Sequence, residues 1–296
     1  MVRLGIVGAG RVGTALALAC SRTGVEVVAV ASRSEKSVER LVQLAGLDRS
    51  VVCSSPNEAF ERSSVLLLSV SDDAIGEVCL QLTKGVSDKR ASEPGFRVVA
   101  HLSGALSSSI LSPLRKLGAS VGSIHPIKSF STDPHVSSDL KGTVASIEGD
   151  EGAVQTLSEL AGVLGMRPTE IASEAKPLYH AAACIASNYM VTLFALSCDI
   201  MVRSGMDPAL ARESIAHLMG GTMRNLQSQP PEQALTGPIA RGDSDTIKGH
   251  LDALERIDNC RVNAIYRLLG LETAELAKYG KRISSESVDE LTSILS

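Results

Sequence analysis

Residues 4–13 read Leu4-Gly5-Ile6-Val7-Gly8-Ala9-Gly10-Arg11-Val12-Gly13, an apolar run that breaks into the spacing G-x-G-x-x-G. The apolar run predicts a buried strand, and the alanine- and leucine-rich residues 14–21 predict a helix directly after it. In such a turn Gly8 permits the change of direction, Gly10 lets backbone N–H groups approach a pyrophosphate, and Gly13 lets the helix pack closely on the strand. The helix N-terminus adds a partial positive charge. The stretch therefore predicts a dinucleotide-binding turn.

Short β-branched runs alternate with helical patterns from the N-terminus to residue 172. Strands separated by helices of this length imply parallel crossovers and a doubly wound sheet of the Rossmann type. A charged stretch with glycine and proline at residues 85–95 has no periodicity and predicts a surface loop. The predicted strands are 3–7, 25–31, 51–53, 65–70, 97–101, 120–124 and 143–147.

The remainder of the chain carries helical signals alone. Residues 173–204 contain only one proline and no glycine, with Pro177 in the predicted first turn and Gly205 after the end, so they predict one long helix. The fold class is therefore α/β, with a Rossmann doubly wound parallel sheet in residues 1–172 followed by an all-helical C-terminal domain in residues 173–296. Further helices are predicted at 208–220, 246–269, 272–279 and 288–295.

Composition narrows the classes of partner. The 296 residues are 44% hydrophobic with a formal net charge of -4 and no basic stripe, so we expect no nucleic-acid partner. Only 3% of residues are aromatic, which favours a small polar substrate over stacked bases. The six cysteines are scattered without C-x-x-C pairs and no histidines have ligand spacing, so no metal site is expected. The absence of a signal peptide or a long apolar run leads us to expect a cytoplasmic protein without a membrane segment.

The residue after the second strand bears on the choice of cofactor. An NAD site usually has an acidic residue there for the ribose 2′-hydroxyl, whereas this chain has Ser32-Arg33-Ser34, which suits a 2′-phosphate. We therefore predict NADP(H). The alternative is that Arg33 is a solvated loop residue and Glu35 takes the acidic role.

Polar residues also follow the later strands, at the sheet edge where ligands bind in doubly wound folds. Ser71 and Ser103 are plausible contacts to the cofactor, although Ser71 with Asp72 also suits the N-cap of the next helix. The predicted cofactor-binding residues are Gly8, Gly10, Arg11, Val12, Gly13, Ser32, Arg33, Ser34, Val70, Ser71 and Ser103.

The long predicted helix carries a candidate catalytic set. Lys176, His180 and Ser187 share one face at helical spacing, with Asn188 on its flank. Reducing a carbonyl or imine needs a proton donor and hydrogen-bond donors beside the reacting atom. Lys176 or His180 could supply the proton and Asn188 could orient the substrate. The alternatives are a solvated lysine and a core histidine bonded to backbone.

Two further polar segments are candidates for substrate binding. His125 follows the sixth predicted strand at the same sheet edge, and Arg241 lies between glycines in the helical region. An arginine fork suits a substrate carboxylate, although Arg241 could equally lie in solvent beside a capped turn. The predicted substrate-binding residues are His101, Gly104, His125, Ser187 and Arg241.

With these residues the sequence resembles the 6-phosphogluconate dehydrogenase-like superfamily of β-hydroxyacid dehydrogenase-type NADP enzymes, which includes ketopantoate and pyrroline-5-carboxylate reductases. It is most similar to Rossmann-like proteins with a DUF2520 C-terminal domain. The resemblance implies a dinucleotide domain, a helical domain that commonly forms a homodimer, and hydride transfer between NADP(H) and a small molecule. Many relatives pair a catalytic lysine with an asparagine one turn later, whereas here Lys176 is followed at that spacing by His180. The resemblance is carried by residues 8–13, 32–34, 101–104, 125–126, 176–188 and 236–243.

Two hypotheses follow. The first is an NADP(H)-dependent oxidoreductase acting on a small carboxylate-bearing oxo, hydroxy or imino compound. The second is an NADP(H)-binding sensor without turnover, which the altered lysine and asparagine pattern favours. A deazaflavin hydride carrier is a third option, but it leaves Arg33 without a clear role.

Overall fold

The computed structural model describes residues 2–85, 97–257 and 259–296. The chain divides into two compact units, Met1–Ser187 and Asn188–Ser296. The predicted boundary at residue 172 precedes the helix that begins at Lys176, and the first turns of this helix are part of the first unit because the Lys176 side chain is buried there. The predicted loop at 85–95 lies outside the described residues from residue 86 onward.

The first unit contains a seven-stranded sheet in the order β2-β1-β3-β4-β5-β6-β7. Neighbouring strands are parallel from β2 through β5, and β6 pairs with β7 in parallel, so the sheet is mostly parallel as predicted. The strands are β1 Arg3–Val7, β2 Glu26–Ala31, β3 Val65–Leu68, β4 Arg97–His101, β5 Ala119–Pro126, β6 Val144–Gly149 and β7 Arg167–Glu170.

The sheet differs from the prediction in three places. Strand β6 is antiparallel to β5, and the connection between them contains only the four-residue helix Pro134–Ser137. Residues 51–53 form one bridge, from Val52 to Val30, because Arg49–Val51 is a 3-10 turn. Strand β7 was not predicted, since its four residues are all exposed and include a proline, which hides a strand pattern.

Helices cover both faces of this sheet. Leucine, valine and alanine side chains of α1, α2 and α6 form one buried apolar cluster with the sheet, and those of α3, α4 and the 3-10 segment Ser108–Leu117 form another. Burial on both faces explains why the central strands read as unbroken apolar runs. The helices of this unit are α1 Arg11–Thr23, α2 Glu35–Ala45, α3 Pro56–Arg62, α4 Asp72–Gly85, α5 Pro134–Ser137, α6 Glu151–Val163 and α7 Lys176–Cys184.

The second unit is helical in its described part, as predicted. The predicted break after residue 269 is wrong, because α12 runs through Gly270, which packs closely on Leu295, and the chain instead breaks before Cys260. A small apolar core includes Ile247 and Leu291. The helices are α8 Met190–Arg203, α9 Pro208–Ser228, α10 Pro231–Ala234, α11 Ser244–Glu255, α12 Cys260–Tyr279 and α13 Ser285–Leu295.

The predicted long helix is present as helical residues Ser173–Arg203, with a π-helical segment at Ile185–Tyr189. By length and composition this helix could span a membrane, and one such helix is weak evidence for a membrane segment. The sequence pattern did not predict it, because polar residues interrupt its apolar run. Lys176 in its first turns is fully buried among residues of the sheet.

Candidate active site

The glycine-rich turn joins β1 to α1 as the sequence predicts. Gly8 has a φ of 107°, a conformation that side chains other than glycine rarely adopt, and its N–H donates to the carbonyl of Ala31 at 2.8 Å. Gly10 precedes the first residue of α1. A first cavity of about 380 Å³ opens over this turn and the ends of β2 and β3. Its lining includes Gly8, Gly10, Ser32, Arg33, Val70 and Ser71.

The structure distinguishes Arg33 from Glu35 at this cavity. Arg33 is exposed and lines the cavity, whereas Glu35 lies in the first turn of α2 and does not line it. Between them, Ser34 caps α2 by accepting a hydrogen bond from the backbone N–H of Ser37 at 3.2 Å. The cavity therefore presents a guanidinium where an NAD site would present a carboxylate.

A second cavity of about 380 Å³, hereafter the central cavity, lies over the ends of β3, β4 and β5. It joins the glycine turn to polar groups from four other parts of the first unit. Its lining is Gly10, Arg11, Val12, Ser69, Val70, Asp72, Leu102, Ser103, Gly104, His125 and His180.

Two imidazoles meet over Gly104 in the central cavity. A Cβ atom on Gly104 would lie 2.6 Å from Nδ1 of His180 and 3.0 Å from Nε2 of His125, so only glycine leaves both nitrogens in place. The ring centroids of the two histidines are 6.0 Å apart at an interplanar angle of 75°. Within the described chain, His180 Nδ1 is buried without a hydrogen-bond partner. A buried polar atom of this kind suits contact with a ligand.

The other side of His125 is held by Tyr179. The Tyr179 hydroxyl lies 2.8 Å from His125 Nδ1. When the hydroxyl donates, the neutral imidazole carries its proton on Nε2, the nitrogen that faces Gly104. Burial lowers the pKa of His125 to about 4, with further lowering from the positive charge of Lys176 and from His180. The imidazole is therefore neutral at pH 7.

Lys176 lies beneath the cavity and does not line it. Its side chain is fully buried, and its Nζ donates to the carbonyl of Ser103 at 2.9 Å and to Oγ of Ser123 at 2.7 Å. Burial lowers its pKa, while Glu148, whose Oε1 lies 3.8 Å from Nζ, opposes that shift. The ammonium thus holds the backbone at Ser103 and, through it, the position of Gly104.

Glu148 is a buried carboxylate that the sequence analysis did not single out. It accepts hydrogen bonds from the backbone N–H of Ser108 at 2.8 Å and from the hydroxyls of Ser108, Ser123 and Ser173 at 2.8, 2.7 and 2.6 Å. Burial alone would raise its pKa, but these hydrogen bonds hold it below the usual value. The sequence feature that could have identified Glu148 is the presence of an acidic residue inside the otherwise apolar strand β6.

Ser103 connects this buried network to the cavity. Its hydroxyl donates to Oδ2 of Asp72 at 2.8 Å and accepts from the backbone N–H groups of Ala105 and Leu106 at 3.2 and 3.0 Å. The turn after β4 is therefore fixed by hydrogen bonds on both sides.

Comparison with known proteins identifies the two parts of the chain. Residues 1–126 match a Rossmann-like domain, and residues 143–273 match the family described as Domain of unknown function (DUF2520). The chain combines a Rossmann-like domain with a DUF2520 domain. No curated protein sequence matches it.

Solved structures share the fold of this chain. Protein TM1727 from Thermotoga maritima is 28% identical with a TM-score of 0.67, covering 94% of this chain and 99% of that one. A candidate NADP oxidoreductase from Bacteroides fragilis is 23% identical with a TM-score of 0.73, covering 93% and 98%. A reductive aminase from Aspergillus terreus in complex with NADPH is 18% identical with a TM-score of 0.57, covering 100% and 92%. Pyrroline-5-carboxylate reductases and imine reductases have the same fold.

Four further predicted residues do not line the central cavity. His101 is fully buried in β4, its Nδ1 accepts from the backbone N–H of Ser103 at 3.2 Å, and burial lowers its pKa to about 4. Ser187 and Asn188 lie in the π-helical segment, at the end of the first unit and the start of the second. Arg241 is an exposed residue of the second unit. The roles assigned to these four residues stay predictions.

Proposed function

We propose that this protein is an NADP(H)-dependent oxidoreductase that transfers a hydride to or from a small carboxylate-bearing oxo, hydroxy or imino compound. One observation carries the proposal: the central cavity contains both the first turn of the dinucleotide motif and the two imidazoles over Gly104. The exposed Arg33 at the first cavity supports NADP(H) over NAD(H). The NADP(H)-related solved structures support the same class of cofactor.

The histidines match the needs of the reaction. Reduction of a carbonyl or imine adds a hydride to carbon and a proton to oxygen or nitrogen, and NADPH supplies the hydride when bound. His125, neutral and backed by Tyr179, would donate from Nε2 toward the developing charge. His180 would form a hydrogen bond through Nδ1 with the substrate oxygen or nitrogen on which this charge develops, or with an adjacent substrate atom. His125 thus stabilises the developing charge by a hydrogen bond in this proposal, and the proton that completes the reduction comes from solvent.

Lys176 has a different role in this proposal. Its Nζ donates hydrogen bonds to the carbonyl of Ser103 and to the hydroxyl of Ser123 beneath the cavity. We therefore assign Lys176 the role of positioning the Ser103 backbone. Asn188 and Arg241 keep their predicted roles in orienting the substrate and binding its carboxylate. We also propose that the protein is cytoplasmic and homodimeric.

The sensor remains a second candidate because the one lysine expected to act chemically does not line the central cavity. A sensor would bind NADP(H) and leave the histidines to hold a ligand without turnover. The two functions share the cofactor and differ in hydride transfer.

The experiment is a turnover screen of the purified protein with NADPH and small oxo and imino acids, comparing wild type with Gly104→Ala. The alanine methyl would meet His180 and His125, so we expect turnover to fall while NADPH affinity stays within about twofold. Gly162→Ala is the matched control, because a Cβ there meets no atom within 4 Å. NADPH binding without turnover of any compound in wild type would favour the sensor, and no binding would remove both candidates.

A further inference from the structure

A tyrosine lies directly behind the imidazole that faces the central cavity. The Tyr179 hydroxyl is 2.8 Å from Nδ1 of His125, and the two rings meet edge to face, with centroids 5.6 Å apart at an interplanar angle of 89°. The other ring nitrogen of His125, Nε2, lies 3.0 Å from the position that a Cβ atom on Gly104 would take. The imidazole therefore separates the tyrosine hydroxyl from the place where the substrate would bind.

The two residues also differ in their relation to the cavity and to solvent. His125 lines the central cavity from strand β5, whereas Tyr179 lies on α7 and does not line the cavity. Tyr179 is partly exposed to solvent, and its neighbour Leu178 is exposed. The pair thus leads from a partly exposed segment of α7 to the cavity.

Both groups can move a proton without forming a lasting charge. Burial lowers the pKa of His125 to about 4, so its ring is neutral at pH 7. Burial raises the pKa of Tyr179, so the phenol keeps its proton and can donate it. A neutral imidazole has one N–H group and one nitrogen lone pair, so it can take a proton on one nitrogen while it gives one up from the other. The ring stays neutral in such an exchange.

We propose that Tyr179 passes the proton from solvent to the substrate through His125. In reduction, the substrate carbon receives the hydride from NADPH, and the electron pair of the double bond moves to oxygen or nitrogen. That atom takes the proton from Nε2, the Tyr179 hydroxyl gives its proton to Nδ1, and water protonates the phenol oxygen and leaves as hydroxide. One bond to hydrogen forms for each that breaks. The inference rests on the proposed function.

The exchange leaves His125 in its other neutral form. The proton is then on Nδ1 and is donated to the Tyr179 oxygen, while Nε2 has a lone pair directed to the cavity. This form accepts a proton from an alcohol or an amine, so the same two residues serve oxidation in the reverse direction. Proton exchange with solvent between turnovers restores the first form. Tyr179 acts through His125 and does not touch the substrate.

The second unit contains a histidine and tyrosine pair of the same geometry. Nδ1 of His250 is 2.8 Å from the Tyr266 hydroxyl, and the ring centroids are 5.9 Å apart at an interplanar angle of 88°. His250 is exposed and does not line the central cavity. The contact alone therefore does not identify a proton path, and the first pair differs from it by the position of Nε2 in the cavity. Tyr266→Phe is thus a matched control for Tyr179→Phe.

The test follows NADPH oxidation in a single turnover, in mixtures of H₂O and D₂O, with a compound found in the turnover screen. In wild type, several protons move together, so we expect the rate to fall along a curve as the deuterium fraction rises. Tyr179→Phe should be slower by about tenfold and should lose the curvature. A tyrosine that only held His125 in place would lower the rate and leave the curvature. Tyr266→Phe should match wild type in both respects.

Nitrogen-15 NMR of the histidine side chains examines the pair without a substrate. We expect the proton of His125 on Nε2 in wild type and on a mixture of both nitrogens in Tyr179→Phe, because no hydroxyl then faces Nδ1. The signal lost in His125→Gln identifies the residue.

Three results would overturn the relay. The first is a wild-type rate that does not change in D₂O, and the second is equal curvature in wild type and Tyr179→Phe. Both leave the proposed function intact, because NADPH is still oxidised. If no compound oxidises NADPH, the proposed function fails, and a His125 tautomer that is the same in wild type and Tyr179→Phe overturns the role of the tyrosine as well.

Discussion

His125 shows how a few contacts set the chemistry of one residue. Its Nδ1 is 2.8 Å from the Tyr179 hydroxyl, its Nε2 faces Gly104, and burial lowers its pKa to about 4. The resulting neutral imidazole can donate a hydrogen bond to a developing negative charge without first being protonated. Tyr179, which is 54 residues away in sequence, thus determines that Nε2 is the nitrogen that donates this hydrogen bond.

Replacing His125 tests this role. We expect His125→Gln to lower kcat with the identified substrate by about 100- to 1,000-fold, the usual loss for one preorganised hydrogen-bond donor to a developing charge, with NADPH affinity retained. Tyr179→Phe removes only the hydrogen bond to Nδ1 and should cost about tenfold. Steady-state kinetics and fluorescence titration measure the two effects. Full activity in His125→Gln together with its loss in His180→Gln would assign the stabilising hydrogen bond to His180 instead.

His101 supports a prediction about pH. It is fully buried, and burial together with the positive charge of Lys176 lowers its pKa from the ordinary 6.5 to about 4. Between pH 6.5 and pH 4, His101 is protonated in the unfolded chain and neutral in the folded chain. The contribution of His101 to the free energy of unfolding is therefore largest above pH 6.5 and decreases as the pH falls toward 4. His101 alone should lower the free energy of unfolding by about 2 kcal/mol between pH 7 and pH 5.

Urea unfolding at the two pH values checks this result. His101→Gln should lose that part of the pH dependence, whereas His135→Gln, which replaces an exposed histidine, should keep it. An equal pH dependence in wild type and His101→Gln would contradict the assignment.

Sequence could anticipate some of these residues and not others. His125 and Gly104 follow strands whose carboxyl ends share one edge of a parallel sheet, so a sequence pattern suffices to bring them near the glycine turn. Glu148 could not be placed in this way, because its partners Ser108 and Ser173 come from distant segments. For the same reason the burial of Lys176 was not foreseen, since its position in a first helical turn usually means exposure to solvent.

At the scale of secondary structure, the central feature is the connection between β5, β6 and α7. Glu148 on β6 and Lys176 on α7 are both buried and share Ser123 of β5 as a partner. A buried charge that loses its counter-charge is costly, so this pair ties α7 to the sheet. Strand β6 is antiparallel to β5, which the repeating strand and helix pattern did not predict.

The ion pair gives a stability prediction. Glu148→Gln leaves the Lys176 ammonium without a counter-charge and should lower the free energy of unfolding by about 3–5 kcal/mol. Lys176→Met should cost less, because Glu148 keeps four hydrogen bonds from serine groups. In the double variant the two losses should be less than additive. Urea unfolding of all four proteins measures this coupling, and strictly additive losses would show that the two side chains do not interact.

At the scale of the whole molecule, the two units differ in how much apolar surface they leave exposed. Helix α9 of the second unit carries several large apolar side chains in contact with solvent, with Leu218 61% and Leu210 52% exposed. Several exposed apolar side chains on one helix suit association with a partner surface. The division into an α/β unit and a helical unit followed from the sequence, because the β-branched runs stop after residue 171.

The proposed homodimer is tested by light scattering of the purified full chain. We expect the mass of two 31.0 kDa chains for wild type and a shift toward the monomer for Leu218→Lys, because a charge on the exposed apolar face of α9 opposes its burial. Lys281→Glu, a charge change outside α9, is the control. A monomeric wild type would contradict the proposal, and recovery of the protein with the membrane fraction would assign the helix Ser173–Arg203 to a bilayer instead.

A titration of the purified protein with NADPH and NADH, followed by nicotinamide fluorescence, tests cofactor binding most directly in wild type and Arg33→Ala. We expect wild type to bind NADPH more tightly than NADH, and the ratio of the two affinities to fall by about tenfold or more in Arg33→Ala, because the guanidinium at the end of β2 lines the first cavity. Equal affinity for the two dinucleotides, or no binding of either, would contradict it.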